Sequence, residues 1–262
     1  MTRGLVLAAH GSRVIPAVNN RITRLAQSCG ASLGFDEAVA CFHQGSPGFG
    51  DVLDGMMSSQ ISVVPIMSSE GYYCSEVLPN ALQNNLRYQD VRIAISKPVG
   101  ANPRLPELIA ERARELITRS GRTRDNILLA VLGHGTRRHA RSRATAVDVA
   151  DQLAAMTEQR WQKTAAAFID DEPGLETLRH ARLCGGAQPD LIVAIPMFIG
   201  QGPHILEDIP SVLGFPPDLE VRFPMQAEVG EQTIVIDAPL GDWPAMERLV
   251  YDGVQEVSGK AT

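Results

Sequence analysis

The sequence repeats itself, and the repeat constrains the fold more than any single motif does. An apolar run ending in His-Gly-Ser/Thr-Arg occurs as Gly4-Leu-Val-Leu-Ala-Ala-His10-Gly-Ser-Arg13 and again as Leu128-Leu-Ala-Val-Leu-Gly-His134-Gly-Thr-Arg137. Three further landmarks follow in the same order. Ala38 to Phe42 before Pro47-Gly48 matches Ala165 to Phe168 before Pro173-Gly174. Ile61 to Met67 with Gly71 and Pro79 matches Leu191 to Met197 with Gly202 and Pro210. Val91 to Ile95 before Pro98 and Pro103 matches Thr233 to Asp237 before Pro239 and Pro244. A duplicated supersecondary pattern fixes an architecture before any element is assigned. Segments of helical period lie between the apolar runs: Pro16 to Ser28, Pro103 to Thr118, Ser142 to Arg160, Gly174 to Cys184 and Pro244 to Val254. Several open on proline, which suits a first helical turn. Each half therefore reads βαβαβαβα. Strands this apolar, separated by helices, belong in a parallel sheet covered on both faces. The expected fold is α/β, two similar doubly wound, flavodoxin-like halves spanning 1–120 and 121–262, joined at the polar stretch Ser120 to Asp125. Right-handed crossovers put every strand-to-helix loop along one sheet edge, where such folds bind ligands, and both histidines fall there.

Composition narrows the function classes. At 262 residues, 44% hydrophobic and 21% charged, the chain has the make-up of an ordinary globular protein. Its thirty acids and twenty-four bases are spread out, giving a net charge of −6, so no basic tract points to nucleic acid or an anionic membrane. The first apolar run is too short for a signal core or a membrane span, and a cytoplasmic setting is the expectation. Cys29, Cys41, Cys74 and Cys184 have no CxxC spacing, which argues for reduced, mostly buried thiols over a zinc site or a disulfide framework.

A histidine between an apolar strand and a glycine sits where the chain turns sharply and the imidazole can face a cleft. It can equally be a structural group bonded to its own turn, and repetition by itself shows ancestry, not chemistry. A further histidine, His204, lies in Ile195-Pro-Met-Phe-Ile-Gly-Gln-Gly-Pro-His204-Ile-Leu-Glu-Asp-Ile-Pro210, directly after the third strand of the second half. With first and third strands adjacent, His134 and His204 face one another across the loop edge; alternatively His204 caps the following helix. Two neutral imidazoles suit a borderline divalent ion such as Co²⁺, Fe²⁺ or Ni²⁺. They also accept protons near neutral pH.

The His-Gly-Ser/Thr-Arg loops, the proline in the loop after each second strand, and the string from Pro196 to Pro210 together resemble the sirohydrochlorin chelatases of the CbiX type, relatives of ferrochelatase among the class II tetrapyrrole chelatases. The resemblance covers both halves. It implies insertion of a divalent metal into a tetrapyrrole held in a cleft between the halves, with paired histidines binding the ion or receiving pyrrole protons. The implied partners are a tetrapyrrole and a metal ion that is itself a substrate, with no organic cofactor. A duplicated chain can close its cleft within one monomer, with a homodimer as the alternative.

The two copies depart from that pattern differently. Tyr73 stands where the second half has His204, and the position where the family often carries a carboxylate holds His43 in the first half and Ile169 in the second. Asp170, followed by Asp171 and Glu172, reaches the site only if the one-residue shift does not turn it to the other face. His10 and His43 form either a second metal site or a vestigial or substrate-contacting pair. Arg13, Arg137 and Arg138, with His139, Arg141 and Arg143, either receive the substrate's carboxylates or are a solvated face. Tyr72 and Tyr73 either pack on the macrocycle or belong to the loop. The fuller second half makes His134 and His204 the expected catalytic and metal-binding residues. The expected reaction inserts cobalt, or else iron, into sirohydrochlorin or a relative during cobalamin or sirohaem synthesis. The alternatives are a non-catalytic metal or tetrapyrrole binder on a degenerate fold and another small-molecule enzyme on a flavodoxin-like sheet.

Overall fold

The computed structural model describes residues 2–121, 126–136, 139–157 and 160–258. The first part of the chain forms β1 (Arg3–Gly11), α1 (Pro16–Leu33), β2 (Glu37–Gln44), β3 (Gln60–Ile66), α2 (Leu78–Gln83), β4 (Arg92–Ile95) and α3 (Leu105–Arg119). The remainder forms β5 (Ile127–Gly133), α4 (Ala140–Ala154), β6 (Lys163–Phe168), β7 (Leu191–Pro196), α5 (Ile209–Val212), β8 (Met225–Val229), β9 (Gln232–Ile236) and α6 (Met246–Ser258).

Two compact units result, one of Met1–Asn102 with Pro244–Thr262, the other of Pro103–Trp243. In the first unit the sheet order is β2-β1-β3-β4, all parallel. Leu5 to Ala9 of β1 are all buried, because a central parallel strand has core on both sides. On one face Val6, Ala8, Ile61 and Val63 meet Val52, Leu53, Leu78 and Leu82. The other face carries α1 and α6. In the second unit the order is β6-β5-β7-β9-β8, with β8 antiparallel to β9. Leu128, Ala130, Leu132, Ile192 and Ile234 form its core with Leu175, Ile209 and Leu213.

Four features differ from the sequence expectation. The compact units do not follow the linear halves: α3 packs on β7 and α4, whereas α6 packs on β3 and α1. The repeats mark where each copy ends in sequence, but each of these helices goes with the sheet that buries its apolar face. Second, Gln60 pairs with Arg92 and Leu191 with Thr233, so Arg92, not Val91, is the counterpart of Thr233. Third, β8 had no counterpart in the repeat; it is the alternating segment Met225-Gln-Ala-Glu-Val229, returned by a turn at Gly230 with φ +65°. Fourth, the segment after Gly174 is a 3₁₀ turn, Leu175–His180, rather than an α-helix. Its anchors Leu175 and Leu178 are three apart, the period of that helix type.

The helix α3 is fastened to its sheet by an ion pair between the half-buried Arg112 and the buried Asp237. Arg112 Nε donates to Asp237 Oδ2 at 2.8 Å and Nη2 donates to Oδ1 at 2.7 Å, while the Asp237 side chain is 0% exposed. The carboxylate holds the Arg112 proton more tightly than usual, raising its pKa. No helix among the described residues is long and apolar enough to cross a membrane. Cys29 and Cys41 are buried, Cys74 is half-buried and Cys184 is exposed.

Candidate functional site

In both copies a left-handed glycine directly follows the histidine of the first loop. Gly11 has φ +71° and Gly135 φ +68°, a region that residues with a Cβ rarely enter. A Cβ at Gly135 would also stand 2.9 Å from the Cβ of Phe168. These glycines turn the chain directly behind His10 and His134. The imidazole Nδ1 then lies 3.1 Å from the Gly11 carbonyl in the first unit and 3.0 Å from the Gly135 carbonyl in the second. A carbonyl only accepts, so in each case Nδ1 carries the proton and Nε2 keeps the lone pair.

In the second unit β7 neighbours β5, and the loop after β7 winds into a single π-helical turn, His204–Asp208. Such turns recur at functional sites because they redirect side chains within one turn. Here the turn brings the His204 ring to 5.0 Å from the His134 ring, edge to face. Asp208 Oδ2 accepts from His204 Nδ1 at 2.6 Å, and Asp170 Oδ2 lies 3.2 Å from His134 Nδ1. Both imidazoles therefore have a carboxylate beside Nδ1, an arrangement that fixes a ring's tautomer and orientation. Both rings are also open to solvent, with side-chain exposures of 46% for His134 and 42% for His204.

Asp170 reaches His134 because β6 ends at Phe168 and strand alternation no longer governs the chain beyond it. Its backbone N–H donates to the His134 carbonyl at 2.9 Å, which sets the loop beside that residue. Ile169, at the family's carboxylate position, packs against the apolar core. Arg143 is held by the same loop: Nε donates to the Glu172 carbonyl at 3.2 Å and lies 3.8 Å from Asp171. His139 precedes α4 and Arg141 is exposed in its first turn. Arg137 and Arg138 lie outside the described residues.

The first unit assembles a different set on the same scaffold. Tyr73 opens the matching π-helical turn, Tyr73–Val77. Its ring is 4.7 Å from His10 and 4.6 Å from His43, and those two imidazoles are 5.4 Å apart. Tyr72 is half exposed and meets Tyr73 edge-on at 5.6 Å. Val77 occupies the place of Asp208, so this copy lacks both the second histidine and its carboxylate. Loss of solvent, followed by the charges of His10 and Arg13, lowers the His43 pKa from its ordinary 6.5. A folded state that binds a proton more weakly than the unfolded chain gains stability above pH 6.5 and loses it as pH falls through the folded midpoint. An NMR titration of the ring protons is expected to give His43 a midpoint below 6.5, moving upward in Arg13→Ala; a midpoint at or above 6.5 contradicts this electrostatic picture.

Among the described residues, no group of three or more His, Cys, Asp or Glu side chains is placed to hold a metal ion. The CbiX family model matches residues 4–116 and again 128–257, nearly the whole of both repeats. The chain belongs to the CbiX family. A relative from Halobacterium salinarum, named a probable sirohydrochlorin cobaltochelatase, is 30% identical over 229 residues, covering 80% of this chain and 76% of the relative. Two solved structures share the fold. One is a multi-domain protein from Deinococcus radiodurans, described as similar to chelatases with two additional domains (TM-score 0.71, 21% identity); the match covers 97% of this chain and spans 55% of that protein's length. The other is SirB from Bacillus subtilis with Fe³⁺ (TM-score 0.71, 17% identity), matched over 100% of this chain and 97% of its own.

Within this CbiX chain, sequence reasoning named both members of the second unit's histidine pair and missed Asp208. Its signal was in plain view, an acid four residues after His204, a spacing at which side chains on one helical turn meet.

Proposed function

We propose that this chain inserts a divalent metal into sirohydrochlorin or a closely related tetrapyrrole, with the chemistry carried by His134 and His204. The observation behind this reading is the pair of imidazoles, 5.0 Å apart, with His204 Nδ1 bonded to Asp208, His134 Nδ1 held between the Gly135 carbonyl and Asp170, and each Nε2 left with its lone pair. Insertion exchanges two pyrrole protons for the ion: two N–H bonds break, two metal–nitrogen bonds form beyond those made by the lone-pair nitrogens, and two protons leave. The site must supply bases and loosely hold a metal at once. Neutral imidazoles do both near pH 7. Two donors leave most of the ion's coordination sphere open to the incoming macrocycle, as a site that passes its metal on requires.

Asp170 and Asp208 act through the imidazoles: as each ring takes a proton at Nε2, its carboxylate stabilises the imidazolium. Arg13, Tyr73, Arg137 and Arg138 are proposed to contact the substrate's carboxylates and ring edge. Cobalt is the first choice of metal on the name of the Halobacterium salinarum relative. Iron is the second, on the SirB structure with Fe³⁺. The His10, His43 and Tyr73 cluster is proposed as an accessory metal or substrate contact. The setting is proposed to be cytoplasmic, with the chain a monomer or homodimer.

Titration with Co²⁺, followed by its ligand-field absorption, tests the donor assignment. Wild-type chain is expected to bind with nitrogen-ligand bands. His204→Ala is expected to lose them, and Asp208→Asn to keep the bands with affinity reduced by at least about tenfold, the usual effect of removing a carboxylate behind a ligand histidine. Unchanged Co²⁺ bands in His204→Ala would refute the donor assignment.

A further inference from the structure

At the opposite end of the first unit's strands, the register brings Arg3, Gln60 and Arg92 into one row: Arg3 pairs with Gln60, and Gln60 with Arg92. Registered neighbours in a parallel sheet share a face. Ile61 and Ile93, one residue further along, pack into the core on the side of α2, so the row looks toward α1 and α6. There a cavity of about 610 Å³ opens, lined by the three polar side chains together with Phe35, Val257 and Ser258.

The duplication supplies an internal reference for this row. Its counterparts in the second unit are Ile127, Leu191 and Thr233, all buried in the core. One copy therefore closes the foot of its sheet with buried Ile127 and Leu191 and with Thr233 hydrogen-bonded to Glu228, while the other carries two guanidinium groups and an amide around an open cavity. Arg3 is pinned there: its guanidinium carbon lies 4.5 Å from the centre of the Phe35 ring, and its backbone N–H donates to Asp36 at 2.7 Å. Among the described residues neither guanidinium is paired with a carboxylate.

We propose that this cavity binds a phosphate monoester with an apolar or aromatic body. The two arginines stand two strands apart, about 10 Å between Cα atoms, a separation from which two long side chains can converge on one group. Two forked cations match a dianion with several acceptor oxygens. Phe35 and Val257 supply the wall against which the body packs. The volume lies within the roughly 300–1,000 Å³ of ordinary small-molecule sites. Arg3 and His10 are seven residues apart on β1, about 23 Å of extended strand, so this site is separate from the histidines.

Calorimetric titration of the full chain with phenyl phosphate, inorganic phosphate, benzoate and phenol tests the proposal. Phenyl phosphate is expected to bind saturably and more tightly than the other three. Arg3→Ala and Arg92→Ala are each expected to weaken it at least about tenfold, with Arg92→Lys in between, because a lysine keeps the charge but loses the fork. Unaltered thermal unfolding of the variants would show that the loss is local, and Co²⁺ binding at the histidines is expected to be unchanged. Failure of phenyl phosphate to saturate, or binding indifferent to both substitutions, overturns the proposal. Equal binding of inorganic phosphate removes the apolar body from it, and tighter binding of benzoate overturns the choice of phosphate.

Discussion

Replacing His134 with alanine is expected to slow metal insertion by on the order of a thousandfold, within the range for loss of a positioned proton acceptor. The same substitution at His10 is expected to do much less. The asymmetry follows from what stands behind each ring. His134 has Asp170 at 3.2 Å and faces His204, itself held by Asp208 at 2.6 Å. His10 faces Tyr73 and His43, with only the Gly11 carbonyl on Nδ1. Tyr73 brings a phenol and no imidazole nitrogen, so the first unit has no equivalent of His204 at that position. Both imidazoles of the second pair are substantially exposed, and their truncation leaves no cavity in the core. Initial rates at saturating metal and tetrapyrrole measure the effect. A greater loss in His10→Ala than in His134→Ala would move the working site to the first unit.

Arg112→Met is expected to lower the unfolding free energy of the second unit by about 3–5 kcal/mol, because it leaves the carboxylate of Asp237 buried without a partner. Its two hydrogen bonds to Arg112 tie α3 to the end of β9, across 125 residues of chain. The double variant Arg112→Met/Asp237→Leu is expected to recover most of the loss, since paired apolar residues avoid the desolvation that the ion pair must offset. Urea unfolding followed by far-UV circular dichroism checks both. A single variant as stable as wild type would show that the ion pair does not fasten α3.

How much of this was legible in the sequence depended on whether the signal was local. The strand-His-Gly loops and the repeat landmarks are continuous strings, and they located the parallel strands and the His134–His204 encounter. Asp170 was harder to read, because strand alternation argued against it and the structure shows that β6 has already ended two residues earlier. The destinations of α3 and α6 were not legible at all. Their apolar periodicity shows that each needs a sheet but not which sheet, and the Arg112–Asp237 pair that fastens α3 joins positions with no shared motif. The one-residue shift of β4 was legible in the prolines that follow it: Pro98 and Pro239, like Pro103 and Pro244, are 141 positions apart, as are Arg92 and Thr233, and the pairing with Gln60 agrees. That shift is what aligned Arg92 with Arg3 and exposed the row at the foot of the first sheet.

The most direct test of the account is a turnover measurement: sirohydrochlorin and Co²⁺ are mixed with the intact chain, and the tetrapyrrole absorbance is followed against the same mixture without protein. The expected result is many turnovers per chain at a rate well above the spontaneous reaction, lost in His134→Ala and in His204→Ala. A wild-type chain that binds Co²⁺ or the macrocycle yet leaves the spontaneous rate unchanged, with Fe²⁺ as well as with Co²⁺, would contradict it and identify a carrier on a chelatase fold.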